Sequence, residues 1–241
     1  MTKNAAIRFD GVSFSADGID ILLDITAFFP KGEITSLVGP SGAGKTTVFK
    51  LCNGLRSPSK GKIYFNEQSM NTYEPVQLRR QIGLALQDAT VISGTVRENL
   101  ALPLTLQDKL LSEETANEYM DLVGLNKDLL NRDARDLSGG QRQKLSIART
   151  LINQPDVLLL DEITSSLDQI SRKDIEQLIL KINKKYETTI IWITHSMEQA
   201  RLISDYTWVM MDGKVVESGE SSILDNPTNH EVRKFLRREV E

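Results

Sequence analysis

The chain has 241 residues, of which 40% are hydrophobic and 26% are charged, with a formal net charge of −4. This composition is that of a globular protein with a substantial core, and no apolar run approaches the ~20 residues that cross a bilayer. The mild acidity disfavours nucleic acid as a partner, because phosphate backbones attract basic surfaces. The lack of an apolar secretory signal and the single cysteine, Cys52, predict a cytosolic chain that reaches a membrane only through a partner.

The first part of the chain predicts antiparallel strands followed by a strand and a helix. Apolar residues alternate at residues 7–14, and turn-prone residues at 16–18 separate them from a second apolar stretch at 19–29. A short apolar strand is predicted at 34–38. A helix at 46–55 continues from the glycine-containing loop that follows this strand.

The chain changes character between residues 88 and 154. Helix-favouring segments at 112–123 and 141–152 dominate there, and no good strand is present. We therefore expect an all-α subdomain, residues 88–154, inserted into the rest of the fold.

After the insert, strands and helices alternate again. Residues 157–160 and 189–194 are strand-like, and a helical segment at 171–185 separates them. This alternation predicts an α/β core, and the absence of repeats or low-complexity linkers predicts one composite domain over residues 1–241. The charged segment at 231–241 is predicted to be a surface helix.

Residues 39–46 match the phosphate-binding pattern G-x-x-x-x-G-K-[ST] between a strand and a helix. Glycines let backbone N–H groups approach phosphates closely. Lys45 adds a positive charge for the β- and γ-phosphates, and the Thr46 hydroxyl is placed to bind Mg²⁺. The alternative is an ordinary strand-to-helix turn. The predicted phosphate-binding residues are Gly39, Pro40, Ser41, Gly42, Ala43, Gly44, Lys45, Thr46 and Thr47.

Two carboxylates, Asp161 and Glu162, end the apolar strand at 157–160. Parallel sheets of α/β proteins hold ligands at the carboxyl ends of their strands. Asp161 could therefore hold Mg²⁺ through water, and Glu162 could orient and deprotonate an attacking water. An acidic pair at a strand end is also common without any function, so the assignment depends on the glycine loop.

A second candidate phosphate site precedes the helix at 141–152. Ser138 and Gln141 have the spacing of a capping box, which satisfies a helix start by itself. Gly139 and Gly140 stand beside free N–H groups of the same helix start and could also bind phosphate. From the residues alone, the plain cap is the favoured interpretation.

The motifs and their order resemble the ATPase subunits of ABC transporters over nearly the whole chain. Residues 137–141, Leu-Ser-Gly-Gly-Gln, are similar to the family signature. The resemblance implies ATP and Mg²⁺ as cofactors and a P-loop NTPase core of the RecA-like type. That core has a mostly parallel sheet, an N-terminal antiparallel β subdomain and an inserted α-helical subdomain. It also implies a head-to-tail dimer, in which the signature of one copy closes on ATP held by the other.

Three further positions take their predicted roles from this resemblance. Gln87 matches the glutamine that senses Mg²⁺ and the transmembrane partner, and residues 166–168 match a dimer-contacting loop. His195 matches the histidine that contacts the γ-phosphate. Without the resemblance, a histidine at a strand end is more often structural. Lys45, Gln87, Glu162 and His195 are accordingly the predicted catalytic set, and Thr46, Gln87 and Asp161 the predicted Mg²⁺ set.

Two positions depart from the family pattern. Ala16 occupies the place of an aromatic residue that stacks on adenine, so the base is held differently, with Ile21 as a candidate contact, or base selectivity is relaxed. Ile163 replaces a common proline and should matter little to the chemistry.

The length of the chain implies a separate integral membrane permease as partner, with the ATPase peripheral on the inner face of the membrane. Residues 90–106 lie where the family docks its permease, although most of their apolar side chains should belong to the subdomain core. The combination of motifs resembles bacterial ATPases for iron export or metal resistance. Alternatives are ATPases of phosphate or polar amino-acid importers, and a non-transport ABC ATPase.

Overall fold

The computed structural model describes residues 4–238. Its strands are β1 (Ala5–Ala16), β2 (Ile19–Pro30), β3 (Ile34–Val38), β4 (Lys60–Phe65), β5 (Gln68–Ser69), β6 (Ile82–Ala85), β7 (Val157–Asp161), β8 (Thr189–Ile193), β9 (Tyr206–Met211) and β10 (Lys214–Glu220). Its α-helices are α1 (Lys45–Cys52), α2 (Pro75–Gln81), α3 (Val96–Thr105), α4 (Glu113–Val123), α5 (Gly139–Leu151), α6 (Gln169–Tyr186), α7 (Met197–Ile203) and α8 (His230–Arg238). Within residues 4–238, no helix is both long and apolar enough to span a membrane.

The larger sheet has six strands in the order β10-β9-β3-β8-β7-β6. All neighbouring pairs are parallel except β9 and β10. Strands β3 and β8 are buried at every residue, as expected for parallel strands covered on both faces. The segments that follow β3, β8, β7 and β6 therefore leave the sheet at one edge.

The smaller sheet is antiparallel, with the order β2-β1-β4-β5, and packs on the larger sheet through aromatic side chains. The rings of Phe29 and Trp208 stack with centroids 4.0 Å apart, and Phe9 meets Trp208 edge-on at 5.7 Å. The Trp208 indole N–H donates to the Phe28 carbonyl at 3.0 Å, so its polar atom is satisfied in the core.

Helices α3, α4 and α5 form the predicted helical insert. Thr95 and Glu98 begin α3 with a complete capping box, and the Ser112 hydroxyl caps α4. The apolar faces of these helices share one core cluster with α6 and with the larger sheet, including Leu100 and Leu145, both fully buried. The α/β fold with an antiparallel N-terminal sheet and a helical insert is thus confirmed. The boundaries 88–154 and 1–241 stay predictions.

Strand β6 was not predicted from the sequence, and its Gly83 allows a helix to pack closely on it. A Cβ at Gly83 would lie 2.5 Å from Cγ2 of Thr150 in α5. Glycine therefore allows α5 to pack directly on this strand. Strands β4, β9 and β10 were also not predicted.

The C-terminal helix α8 is amphipathic rather than exposed on every side. Val232 and Leu236 are buried at 0% and 6% exposure against Leu224 and its neighbours. The prediction of a surface helix was therefore incomplete, and its last residues, 239–241, lie outside the described residues. Cys52 is fully buried in α1, and burial raises the pKa of its thiol.

Candidate functional site

Four predicted site segments meet at the carboxyl edge of the larger sheet. The glycine loop follows β3, Asp161 ends β7, His195 follows β8, and Gln87 follows β6. These strands are direct neighbours in the order β3-β8-β7-β6, so the topology brings the segments together. An edge of this type is the usual place for a ligand in a parallel sheet.

The loop between β3 and α1 has a backbone that only glycine adopts readily. Gly39, Gly42 and Gly44 have φ values of 146°, 81° and 97°. A Cβ at Gly44 would lie 2.5 Å from Cδ2 of Leu22. No side chain caps α1, and its first turn carries no acidic residue. The loop therefore presents an uncapped, electropositive helix start to solvent.

Lys45 holds its ammonium group against the same loop. Its Nζ donates to the carbonyls of Gly39 at 2.8 Å and Pro40 at 3.0 Å, and the residue is only 5% exposed. A depression of about 290 Å³ opens beside it. The depression is lined by Ile21, Ser41, Gly42, Ala43, Gly44, Lys45, Thr46, Thr47 and Glu162. A positive charge, an uncapped helix start and a carboxylate thus border one opening.

The two carboxylates at the end of β7 have different environments. Burial raises the pKa of Asp161 above its ordinary value, and the charge of Glu162 raises it further, while Lys50 and Lys45 oppose the shift. Glu162 has a φ of 50°, in the left-handed region that non-glycine residues seldom adopt. This backbone turn directs the chain away from β7 directly after Asp161.

Glu162 and His195 form a direct pair. Oε1 of Glu162 lies 2.8 Å from Nε2 of His195, and their side chains are 23% and 46% exposed. The backbone N–H of Glu162 also donates to the Ile193 carbonyl at 3.1 Å, which extends the β7–β8 pairing to the edge. A carboxylate hydrogen-bonded to an imidazole beside a phosphate loop can hold and transfer a proton.

Gln87 is exposed and reaches the segment after Glu162. Its Nε2 donates to Oγ of Ser165 at 3.0 Å, and this hydroxyl donates to the Glu162 carbonyl at 2.9 Å. The structure therefore joins Gln87 to the segment that carries Glu162. Ser165 was not singled out in the sequence, because its position beside Gln87 depends on the pairing of β6 with β7.

The donors at this edge fit a magnesium ion. Thr46 contributes a hydroxyl, Asp161 a carboxylate and Gln87 an amide oxygen, which are the hard oxygen ligands that Mg²⁺ takes. Phosphate oxygens would complete such a site. A cation here would also favour the ionised form of Asp161, whose pKa is raised in its absence.

The segment at 138–141 is a capped helix start. Oγ of Ser138 accepts from the Gln141 N–H at 3.3 Å, and Oε1 of Gln141 accepts from the Ser138 N–H at 2.9 Å, so the capping box is complete. Ser138 and Gly139 are exposed. In this single chain, Ser138, Gly139, Gly140 and Gln141 lie outside the depression beside the glycine loop. The structure does not bring the two candidate phosphate sites together.

One buried residue connects this helix to the Gln87 segment. Gln143 in α5 is 2% exposed, and its Nε2 donates to the Leu86 carbonyl at 3.3 Å. Gln143 was not predicted from the sequence, because it resembles any other polar residue of an amphipathic helix. The position of the segment at 138–141 is therefore tied to the residue before Gln87.

Ile21, rather than Ala16, borders the depression. Ala16 packs against the core cluster that includes Phe14 and Leu22. The candidate contact for a base is therefore an aliphatic side chain next to the loop. Ile163, the other departure from the family pattern, is buried in the core at 1% exposure.

Comparison with known proteins identifies the family of this chain. Residues 22–165 match the family model described as ABC transporter. The putative ABC transporter ATP-binding protein YjkB of Bacillus subtilis is 44% identical over 238 residues, which cover 96% of this chain and 94% of that protein. The methionine import ATP-binding protein MetN of Haemophilus ducreyi is 38% identical, over 94% of this chain and 68% of its own length.

Solved structures show the same fold. CbiO1 of Clostridium perfringens, part of the ABC transporter complex cbiONQ, superimposes with a TM-score of 0.85 at 27% identity over 98% of this chain and 96% of its own. The dimeric bacterial ABC transporter cassette MJ0796 superimposes with a TM-score of 0.79 at 29% identity, over 89% of this chain and 98% of its own.

Proposed function

Because this chain belongs to the ABC transporter ATPase family, and is therefore an ATPase that uses ATP and Mg²⁺, we propose that it drives transport by a separate membrane permease. The observation that carries the proposal is the shared edge of β3, β8, β7 and β6. It joins an open phosphate loop to a carboxylate–histidine pair. A nucleotide bound at the loop would place its terminal phosphate towards that pair.

We assign roles to the polar groups at this edge. The loop N–H groups and Lys45 bind the β- and γ-phosphates, and Thr46, Gln87 and Asp161 hold Mg²⁺, which neutralises phosphate charge when it is bound. Glu162 orients the attacking water and accepts its proton. His195 positions Glu162 through their 2.8 Å hydrogen bond and contacts the γ-phosphate.

We propose that residues 138–141 act on nucleotide held by a second copy. The segment is exposed and lies outside the depression of its own chain, yet its helix start still offers the N–H groups of Gly139 and Gly140 to an anion. A head-to-tail dimer would bring this segment opposite the loop of the partner. The cassette MJ0796, which is similar to this chain, is dimeric, and this supports the formation of a dimer.

Two measurements on purified protein test hydrolysis and dimer formation. The purified chain is expected to release phosphate from ATP only with Mg²⁺. Glu162→Gln is expected to run as a dimer by light scattering with ATP and as a monomer without it. A protein that neither hydrolyses ATP nor changes mass with it would contradict the proposal.

A groove of about 530 Å³ between α2, β6, α3 and α5 is the proposed docking site of the permease. Its apolar wall includes Val76, Leu102 and Leu106, of which Val76 and Leu106 are 50% and 74% exposed. Within the predicted docking segment 90–106, Val96 and Leu100 instead belong to the core, at 0% exposure. The exposed apolar groups and the core groups of this segment are thus separate sets.

The docking proposal predicts where the chain is found in cells. Through the groove it would be held at the cytoplasmic face of the membrane. Leu106→Asp should lower its recovery in the membrane fraction several-fold and leave the hydrolysis of ATP by the isolated chain unchanged. Leu202→Asp is the matched control, because Leu202 is 72% exposed on α7 and does not line the groove. Equal membrane recovery of both variants would contradict the docking site.

The cargo is proposed from the relatives. The name of MetN, a methionine import protein, favours uptake of an amino acid, although methionine has an apolar side chain and differs from the polar amino acids predicted from the sequence. The metal-export alternative has no counterpart in the names of these relatives. If the chain serves import, deleting the gene should reduce amino-acid uptake, measured with methionine. If it serves metal export, the deletion should raise the cellular metal content. Measurement of both quantities in one deletion strain separates the two alternatives.

A further inference from the structure

Three buried polar side chains lie behind the Glu162–His195 pair. Thr164, Thr194 and Gln199 are 4%, 4% and 5% exposed. Thr164 follows Glu162 by two residues, and Thr194 directly precedes His195. Gln199 belongs to α7 and is not among the groups assigned to nucleotide, magnesium or water.

The hydrogen bonds of Gln199 fix the orientation of its amide. Its Nε2 donates to Oε1 of Glu176 in α6 at 2.7 Å and to Oγ1 of Thr164 at 3.2 Å. Its Oε1 accepts from Oγ1 of Thr194 at 2.6 Å. The Thr194 hydroxyl is the donor in this contact, because an amide oxygen only accepts, and the same hydroxyl accepts the Ser196 N–H at 3.0 Å. The carboxylate of Glu176 can only accept, so a reversed amide would set its own oxygen against that carboxylate and lose the 2.7 Å contact.

This arrangement connects the two segments that carry the pair. One amide contacts a residue of the segment after β7 and a residue of the segment after β8, and it also fixes both to α6. The connection matters most at Glu162, whose left-handed backbone is held by its surroundings rather than by its own preference. A buried network in which every side chain is satisfied is rigid, and loss of one member leaves several polar groups without partners.

We propose that Gln199 is a positioning residue for hydrolysis: it holds the segments of Glu162 and His195 so that their side chains stay in hydrogen-bond contact. The proposal depends on the proposed roles of Glu162 and His195. It predicts an effect on turnover rather than on ATP binding, since Gln199 does not line the depression beside the glycine loop.

The first test separates kcat from binding. Gln199→Met keeps the length of the side chain and removes both polar ends. Its kcat should fall about tenfold, because small displacements of reacting groups are costly, while KM and the Kd for ATP change less than twofold. The control is Asn183→Leu, which removes two hydrogen bonds, to the Gly32 and Thr188 carbonyls, at the opposite edge of the sheet. Its kcat per folded molecule should equal that of the wild type.

The second test is a rescue that stays informative if Gln199→Met folds poorly. Gln199→Glu alone places a second carboxylate against that of Glu176 and should therefore lower kcat. The double variant Gln199→Glu with Glu176→Gln restores one amide and one carboxylate, and the new carboxylate can still accept from Thr194. This double variant should recover most of the lost kcat.

The outcomes are distinct. A kcat of Gln199→Met within twofold of the wild type would overturn the proposal, as would a parallel loss of kcat and ATP affinity or a double variant that is no more active than Gln199→Glu. A selective loss of kcat with rescue by the double variant supports it. Failure of the proposed function itself would appear in the wild type, as absence of Mg²⁺-dependent hydrolysis.

Discussion

Two segments of this chain place glycines at the start of a helix, and they differ in how the helix start is satisfied. The loop before α1 has left-handed glycines, no capping side chain and no acidic residue in the first turn. The segment before α5 has a complete capping box, and its glycines have ordinary negative φ values. We therefore propose the first as the anion site of the isolated chain, whereas the second is a stable, capped helix start that we propose acts on nucleotide held by a second copy.

From this difference we infer that a glycine-rich helix start is not sufficient for a nucleotide site. At α1, Lys45 and Glu162 line the opening, and Asp161 and His195 lie next to Glu162 at the same edge because β7 and β8 are neighbours. At α5, the glycines lie beside the Ser138–Gln141 capping box and near the Ser171 hydroxyl of α6. Changes to the two segments should therefore have different consequences, and they should differ most in ATP binding.

The largest effect is expected at Glu162, the proposed general base. Glu162→Gln preserves side-chain shape and removes the proton acceptor, so kcat should fall by about 10²- to 10⁴-fold with ATP affinity retained. Phosphate release measures the first quantity and nucleotide titration the second. Glu187→Gln is the matched control, because Glu187 also has a left-handed backbone, with φ of 53°, but lies beyond α6 at the opposite edge. Normal turnover in Glu162→Gln would show that the base is wrongly assigned.

The second effect tests the loop as the primary binding site. Lys45→Ala removes a buried positive charge and its hydrogen bonds to the loop, and charge-assisted hydrogen bonds contribute about 1.5–3 kcal/mol each. The Kd for ATP should rise by about a hundredfold. Lys60→Ala, at an exposed lysine of β4, should leave it unchanged. Calorimetric titration of both variants gives the comparison, and equal affinities would refute the loop assignment.

A third, smaller effect distinguishes the capped segment. Ser138→Ala removes a helix cap and should lower the free energy of unfolding by about 1 kcal/mol. Ser112→Ala, at the cap of α4, should cost a similar amount. Only Ser138→Ala should also lower turnover, about tenfold, without weakening ATP binding to the isolated chain. If both variants hydrolyse ATP equally well, residue 138 has only its capping role.

The smallest effect is a pH dependence of stability. The pKa of Asp161 is raised in the folded chain, so the folded state binds this proton more tightly than the unfolded state does. Ionisation of Asp161 therefore lowers stability as pH rises above the ordinary pKa of an aspartate. Without Mg²⁺ and nucleotide, Asp161→Asn should raise Tm by about 2 °C at pH 7. The gain should shrink as the pH is lowered towards that ordinary value. A gain that does not vary with pH would refute the electrostatic explanation.

The parts of the site that are contiguous in sequence could be predicted. The glycine loop and Asp161 each depend on a strand and the residues directly after it. The contacts of Gln87 with Ser165 and of Gln199 with Thr164 could not be predicted, because they depend on the order of the strands in the sheet. Strand β6 was missed for a related reason, since its four residues form a strand only beside β7.

The most direct test of the account is a mixing experiment between two inactive variants. Lys45→Ala disables the loop, and Gly139→Asp places a negative charge at the start of α5. A Cβ at position 139 meets only Leu167, at 3.9 Å, and an acidic residue suits a helix start, so this variant should fold.

If each nucleotide site combines the loop of one copy with residues 138–141 of the other, a mixed dimer has one intact site. An equimolar mixture should then recover about a quarter of the wild-type ATP hydrolysis, because half of the dimers are mixed. A mixture as inactive as its two components would contradict the shared site.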